Sequence, residues 1–303
     1  CARDRTGQTF RGRIMERLIV LGTGNAGAVR CYNTCCVLHD GEEPVLVDGG
    51  GGNGLLVRLE RAGVRVEDIH HAFLSHCHTD HLFGMIWMIR TVAQRIRSDA
   101  YAGSFTLYCH EELAGVVHSI ADMTLPVGMT DCIGDRIRIV PVADGEERPF
   151  GGYRATFFDI GSTKARQFGF TLRLRNGDKL SFLGDEPCTP AGRPYVTDSD
   201  WLLSEAFCLY ADRDRFKPYE KHHGTVRESC ETAAALGAKN LVLWHTEDTR
   251  LAERKALYTA EGKPFFPGNL FVPDDLDVIP LSSPSILRAP RPHCLQYPQK
   301  GIR

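Results

Sequence analysis

Three histidines and an aspartate fall within six residues, in the stretch HAFLSHCHTDHLFG that carries His76, His78, Asp80 and His81. The apolar residues before His76 read as a strand, and the apolar spacing of LFGMIWMIRTVAQRI after His81 reads as a helix. The chain must therefore end a strand and begin a helix around these side chains. In an extended loop, residues two apart project to the same side, so His76 and His78 can grip one ion. Asp80 and His81, at the helix start, can turn toward a second. Imidazole nitrogens and carboxylate oxygens suit zinc, manganese or iron. A closed structural zinc site would draw more on cysteine, so this pattern points to an open, catalytic centre.

The rest of the chain supplies a layered α/β scaffold. RLIVLG, CYNTCCVLHD and EPVLVDGGGG read as strands, residues 53–62 as a helix, SFTLYC as a strand and EELAGVVHSIADM as a helix. A strand-rich region follows (RIRIVPV, YRATFFDI, FGFTLRLR, KLSFLGD), then the helix TVRESCETAAALGA and the strand NLVLWH. Strands and helices alternate in two successive halves, with no compositional break to act as a linker. That predicts one layered α/β domain over 15–285, with disordered tails at 1–14 and 286–303.

Composition narrows the function. Of 303 residues 43% are hydrophobic, enough for a sizeable core, and the formal net charge of −2 shows no basic excess for nucleic acid. No apolar run approaches the roughly 20 residues that span a bilayer, and the first residues lack the apolar core of a secretory signal. The 11 cysteines, an odd number without a C-x-x-C pair, read as reduced thiols of a cytoplasmic protein. Cys31, Cys35 and Cys36 read as strand residues, not as a metal site.

The ordered set of motifs resembles the metallo-β-lactamase superfamily, and specifically its ribonuclease Z-like branch. The segments that carry the likeness are LIVLGTGNAG, VLVDGGGG, FLSHCHTDHLFG, SFLGDEP, WLLSEAF, KHHGTVRESCETA, LVLWHTED and FPGNLFVPDDL, across residues 15–282. The resemblance implies a four-layer αβ/βα sandwich and two divalent metals, zinc first and manganese or iron as alternatives. It implies that His76 and His78 hold one metal, that Asp80, His81 and His245 hold the other, and that Asp185 bridges them. It also places His223 beside the site to protonate a leaving group or stabilise negative charge, with Asp80 orienting the nucleophile or taking its proton.

One departure stands out. The branch supplies a further histidine to the first metal, a few residues before a strand matching FGFTLRL. Here the stretch is FFDIGSTKARQFGF, with Gly161 or Ser162 at that place. Three outcomes follow. Asp159 replaces the histidine, water or substrate fills the position, or the first site is weak. His110 and His118 read as structural. Lys164 and Arg166 in the same loop are candidates to meet an anionic substrate.

The resemblance implies hydrolysis by hydroxide formed from metal-held water, with a small phosphodiester or nucleotide as the favoured substrate. Nucleic acid is less favoured, because no long basic arm is inserted. The alternatives are a lactone, ester or amide hydrolase on the same centre, and a non-catalytic binding protein with a degenerate site. A homodimer through the amphipathic helix after His81 is also expected.

Overall fold

Successive side chains along each strand go to opposite faces, and in this chain both faces are apolar. The computed structural model describes residues 16–281, so the predicted tails at 1–14 and 286–303 lie outside the described residues. One sheet takes β1 (Arg17–Gly22), β2 (Cys35–His39), β3 (Pro44–Val47), β4 (His71–Phe73), β5 (Phe105–Cys109) and β6 (Ile137–Pro141). The other takes β7 (Glu146–Phe150), β8 (Tyr153–Asp159), β9 (Phe168–Arg173), β10 (Lys179–Phe182), β11 (Trp201–Glu205), β12 (Asn240–Trp244) and β13 (Asn269–Phe271). A last strand, β14 (Val278–Pro280), returns to pair with β1.

Both sheets follow the same plan. Antiparallel pairs come first (β1–β2–β3, then β7–β8–β9–β10), and parallel pairs follow (β3–β4–β5–β6, then β10–β11–β12–β13). Parallel pairing needs crossovers, and helices supply them on the outer faces. In the first half these are α1 (Gly54–Arg61), α2 (Thr79–Arg97), α3 (Glu111–Thr124) and the short α4 (Val127–Thr130). In the second they are α5 (Arg193–Val196), α6 (Arg213–Phe216), α7 (Val226–Ala235) and α8 (Leu251–Gly262).

Three cores result. Ile19, Val37, Leu46 and Leu107 face Leu82, Met85, Ile89 and Val92, the buried stripe of α2. The neighbouring strand residues Leu18, Val20, Val45 and Phe73 face inward, against Phe157, Phe170, Phe182 and Trp244 of the second sheet. Leu202, Leu241 and Leu243 then face Val226, Cys230 and Ala233 of α7. The layers run helix, sheet, sheet, helix, which is the predicted αβ/βα sandwich.

This architecture brings loops from both halves together. Phe73, Phe182 and Trp244 close β4, β10 and β12, and their rings lie in one aromatic cluster between the sheets. Phe73 packs on Phe170 at 5.4 Å, Phe170 on Phe182 at 5.4 Å, and Phe182 on Trp244 at 6.0 Å between ring centroids. The next residues, beyond this rigid floor, include His76, Asp185 and His245.

The strand predicted across CYNTCCVLHD is shorter than expected. Residues 23–34 form a loop, and only Cys35–His39 is strand. The Asn33 side chain bonds the Asn25 carbonyl, and Tyr32 Oη bonds the carbonyls of Gly49 and Gly52. The loop also closes on its own backbone, with Thr23 N and Gly24 N donating to the Tyr32 carbonyl and Thr34 N to the Gly24 carbonyl, so a sheet ladder is not needed there. Cys31 therefore sits in the loop, and the nine described cysteines are all free.

Candidate metal centre

His78 is the N-cap of α2, so Asp80 and His81 occupy its first turn while His76 and His78 lie in the loop before it. An acidic residue suits this end of the helix dipole. Asp185 follows β10 at Gly184, and His245 follows β12 in a left-handed conformation (φ 55°). Such a backbone in a histidine costs energy, and sites that hold a side chain in one direction commonly carry it.

Six side chains converge on one point. Asp185 Oδ2 lies 3.5 Å from His76 Nε2, 3.8 Å from His81 Nε2 and 3.5 Å from His245 Nε2. Asp80 Oδ2 lies 3.4 Å from both His81 Nε2 and His245 Nε2. His76 Nε2 and His78 Nδ1 are 2.8 Å apart. Two donors about 2.1 Å from a shared tetrahedral ion sit roughly 3.4 Å apart, so most of these spacings are those of co-ligands. Three groups of donors emerge, His76–His78–Asp185, Asp80–His81–His245 and Asp185–His223–His245, and the third links the first two through Asp185 and His245. His81 Nε2 is buried without any hydrogen-bond partner, as expected of an atom prepared for a cation. The donor set and its spacing fit a divalent metal.

The ring orientations are fixed from behind. Asp48 Oδ2 is 2.8 Å from His81 Nδ1, which leaves Nε2 free to face the centre. Ser75 donates its backbone N–H and its hydroxyl to Asp48, each at 2.8 Å, and its oxygen stands 3.0 Å from His76 Nδ1. One buried carboxylate thus sets the tautomers of two ligands. Asp48 ends β3 in a left-handed turn (φ 55°) just before the glycine run. The sequence reading quoted this segment without assigning Asp48. The available signal was an acidic residue closing a fully apolar strand.

Electrostatics follow from burial and crowding. Burial alone would raise the Asp80 and Asp185 carboxyls, but the surrounding imidazoles hold both far below the usual carboxylate range. Burial pushes His76 and His78 down, toward the neutral form that a metal requires. Burial acts the same way on His81, yet Asp80 and Asp48 outweigh it and raise it.

His223 reaches the site from the segment before α7. Thr225 caps that helix, and a reciprocal capping box with Glu228 fixes the turn. The His223 Nδ1–H donates to the Asp185 carbonyl at 2.8 Å, and its ring stacks on Phe207. Burial and the nearby His245 bring this imidazole down to about 3. An imidazole lowered this far is neutral at pH 7 until a neighbouring negative charge raises it. Behind it lies Glu205, which sequence reasoning missed. Its carboxylate is 3.8 Å from His223 Nδ1, fully buried, and raised well above its ordinary value by burial. It closes β11 as Asp185 closes β10, and that parallel was the available signal.

The loop between β8 and β9 departs from two expectations. Asp159 does not join the cages. Its Oδ1 accepts from Gly161 N and its Oδ2 pairs with Arg166 at 3.0 Å. Arg166 is thereby engaged by Asp159 and by Glu112, and lies over the Phe168 ring. His110 caps α3, and His118 lies within that helix. The cage of His76, His78 and Asp185 thus has three protein ligands and an open side. Lys164, exposed in the same loop, acts on this region through its charge. Its charge adds to the burial that lowers His78 and His223, and to the imidazoles that keep Asp185 ionised. Two bonds tie the loop down: Ser162 Oγ donates to Glu186, the neighbour of Asp185, at 2.6 Å, and Thr163 Oγ1 is 2.7 Å from Nδ1 of His222, the neighbour of His223.

Fold and site together define a metal-dependent hydrolase of the metallo-β-lactamase fold, in the ribonuclease Z-like branch. A "Ribonuclease Z" of Phocaeicola vulgatus is 30% identical over 308 residues, covering 86% of this chain and 96% of that protein. Another, from Halorubrum lacusprofundi, is 24% identical over 88% of this chain and 98% of its own length. The metallo-β-lactamase fold protein YhfI from Bacillus subtilis shares the fold, with a TM-score of 0.70 at 18% identity over 88% of this chain and 99% of its own. Residues 16–202 match the family of the anti-Pycsar protein Apyc1, and the chain belongs to that family.

Proposed function

We propose that this chain hydrolyses a small anionic phosphodiester, with cyclic nucleotides as the first class to test, at a centre of two divalent metals. The observation that carries the reading is the placement of Asp185 Oδ2 within 3.5–3.8 Å of His76, His81 and His245, the arrangement a bridging carboxylate needs. Zinc matches the imidazole-rich donor set best, with manganese or iron as alternatives. The metals supply a water nucleophile at neutral pH and polarise the scissile bond.

The protein's own groups do the rest. Asp80, ionised and buried, holds its ring of imidazoles and is placed to orient the nucleophile. Lys164 meets the substrate's negative charge on the open side of the first cage. An anion bound beside His223 raises the proton affinity of that imidazole, and the proton it takes up can then pass to the leaving oxygen. Glu205, whose carboxyl burial raises well above its ordinary value, stands 3.8 Å behind His223.

Two features weigh against a long RNA substrate. The net charge is −2, and among the described residues no stretch between elements exceeds the loop 23–34, leaving no extended arm. A pairing of two copies through α2 belongs to the same proposal, supported by Phe83 and Trp87, large apolar side chains exposed on that helix.

The test is turnover of a 3′,5′-cyclic nucleotide, bis-(p-nitrophenyl) phosphate, a lactone and a transfer-RNA precursor, side by side. The cyclic nucleotide should be the best substrate. His223→Ala should lower kcat by about 10²–10⁴-fold with metal content unchanged. Preference for the lactone or the precursor contradicts the substrate assignment.

A further inference from the structure

Gln167 is a fully buried carboxamide with neither of its side-chain atoms bonded. Its exposure is 0%, and both Nε2 and Oε1 lack a hydrogen-bond partner. Such a group is destabilising relative to an apolar residue of the same shape, so its presence calls for a compensating role.

Its position supplies one. Gln167 directly precedes β9, where Phe168 N donates to the carbonyl of Ser75, the residue before His76. On its other side the carboxamide presses against Gly184, the residue before Asp185. A Cβ added at Gly184 would lie 2.1 Å from Gln167 Nε2, and Gly184 also has a left-handed φ of 78°. Both features demand glycine there, and the space so kept free is filled by the Gln167 amide. Asp185 Oδ1, one residue further on, is itself buried without a partner, while Oδ2 faces the histidines. Two unpartnered polar groups of opposite kind, an amide donor packed on Gly184 and a carboxylate acceptor one residue further on, thus flank the same backbone step, with no hydrogen bond between them in the metal-free chain.

We infer that Gln167 is a positioning residue for Asp185. Its carboxamide fixes the carboxylate that the dimetal reading places between the two cages, and this inference rests on that reading. An apolar residue would pack as well in the metal-free protein but would leave Asp185 free to turn. Metal affinity and metal-free stability should therefore move in different directions on substitution.

The experiment compares wild type with Gln167→Met, which keeps the length and removes the polar atoms. Zinc affinity is read by chelator competition, and the Tm of the metal-free protein by calorimetry. We expect zinc to bind about 10–100-fold more weakly in Gln167→Met, as for other partners that orient metal ligands. The metal-free Tm should be unchanged or higher. Unchanged zinc affinity overturns the inference, whatever the Tm. A second readout needs no variant to fold. The side-chain amide resonances of Gln167 in ¹⁵N-labelled wild type should shift and gain exchange protection on zinc addition, and resonances that do not respond overturn the inference. Wild type that binds no zinc would instead sink the metal reading itself, so the two failures are distinguishable.

Discussion

Asp48 lies outside the groups of metal donors, yet it sets the ring nitrogens of His81 directly and those of His76 through Ser75. Replacing it with alanine should weaken metal binding about 10–100-fold, as measured by chelator competition. An unaltered affinity would mean that α2 alone orients the ring. At this scale the sequence was informative where spacing restricts geometry. His76, His78, Asp80 and His81 are local to one strand–loop–helix turn, and the structure brings them together as that spacing requires. Asp185 and His245 came from motif order, each at the end of an apolar strand. The roles of Asp48, Glu205 and Gln167 depend on partners distant in the chain, Ser75 and His81, His223, and Gly184, and local spacing does not name them. Asp159 pairs with Arg166 instead of joining the histidines, and sequence separation alone does not reveal that.

Among the elements, α2 carries the most function, and it is seated by an unusually close approach. Gly84 N donates to Gly50 O, and a Cβ on Gly84 would come within 1.7 Å of Gly49 O. Gly84→Ala should push the first turn of the helix, with Asp80 and His81, away from the centre. The expected cost is about 1–3 kcal/mol or more of stability, read by urea unfolding, with weaker metal binding alongside. A variant with wild-type stability would show that this contact is not needed.

A second tie joins the two sheets away from the site. Asp40, at the β2–β3 turn, accepts from Glu42 N at 2.8 Å, from Glu43 N at 2.7 Å and from Arg175 across the sandwich. Burial alone would raise its carboxyl, but those backbone N–H groups and Arg175 hold it below the usual value. A depressed folded value means that Asp40 contributes stability above its unfolded pKa of about 4, and loses it as pH falls through the folded value. Asp40→Asn should therefore be less stable than wild type at pH 7, by about 1–3 kcal/mol, with the gap closing in acid. An equal deficit at pH 3 would contradict the ionic origin. The short edge strands β7, with Pro149, and β14, ending at Pro280, were not predicted. Proline at a sheet edge gives no apolar alternation to read, and only the neighbouring strand defines such an element.

The whole molecule places half a metal centre on each of two similar halves and packs them face to face. The first half brings His76, His78, Asp80 and His81, and the second brings Asp185, His223 and His245. This two-part plan was visible in the sequence as two successive runs of strands and helices. The pairing of their parallel-strand ends was not, since it depends on sheet packing through Phe73, Phe170, Phe182 and Trp244. The described residues contain no helix long and apolar enough to cross a membrane. If these side chains hold two divalent metals around Asp185, elemental analysis of protein purified without chelator should find two metals per chain in wild type and loss of metal in Asp185→Ala. A chain that carries no divalent metal, or an Asp185→Ala variant that keeps both, would contradict that arrangement.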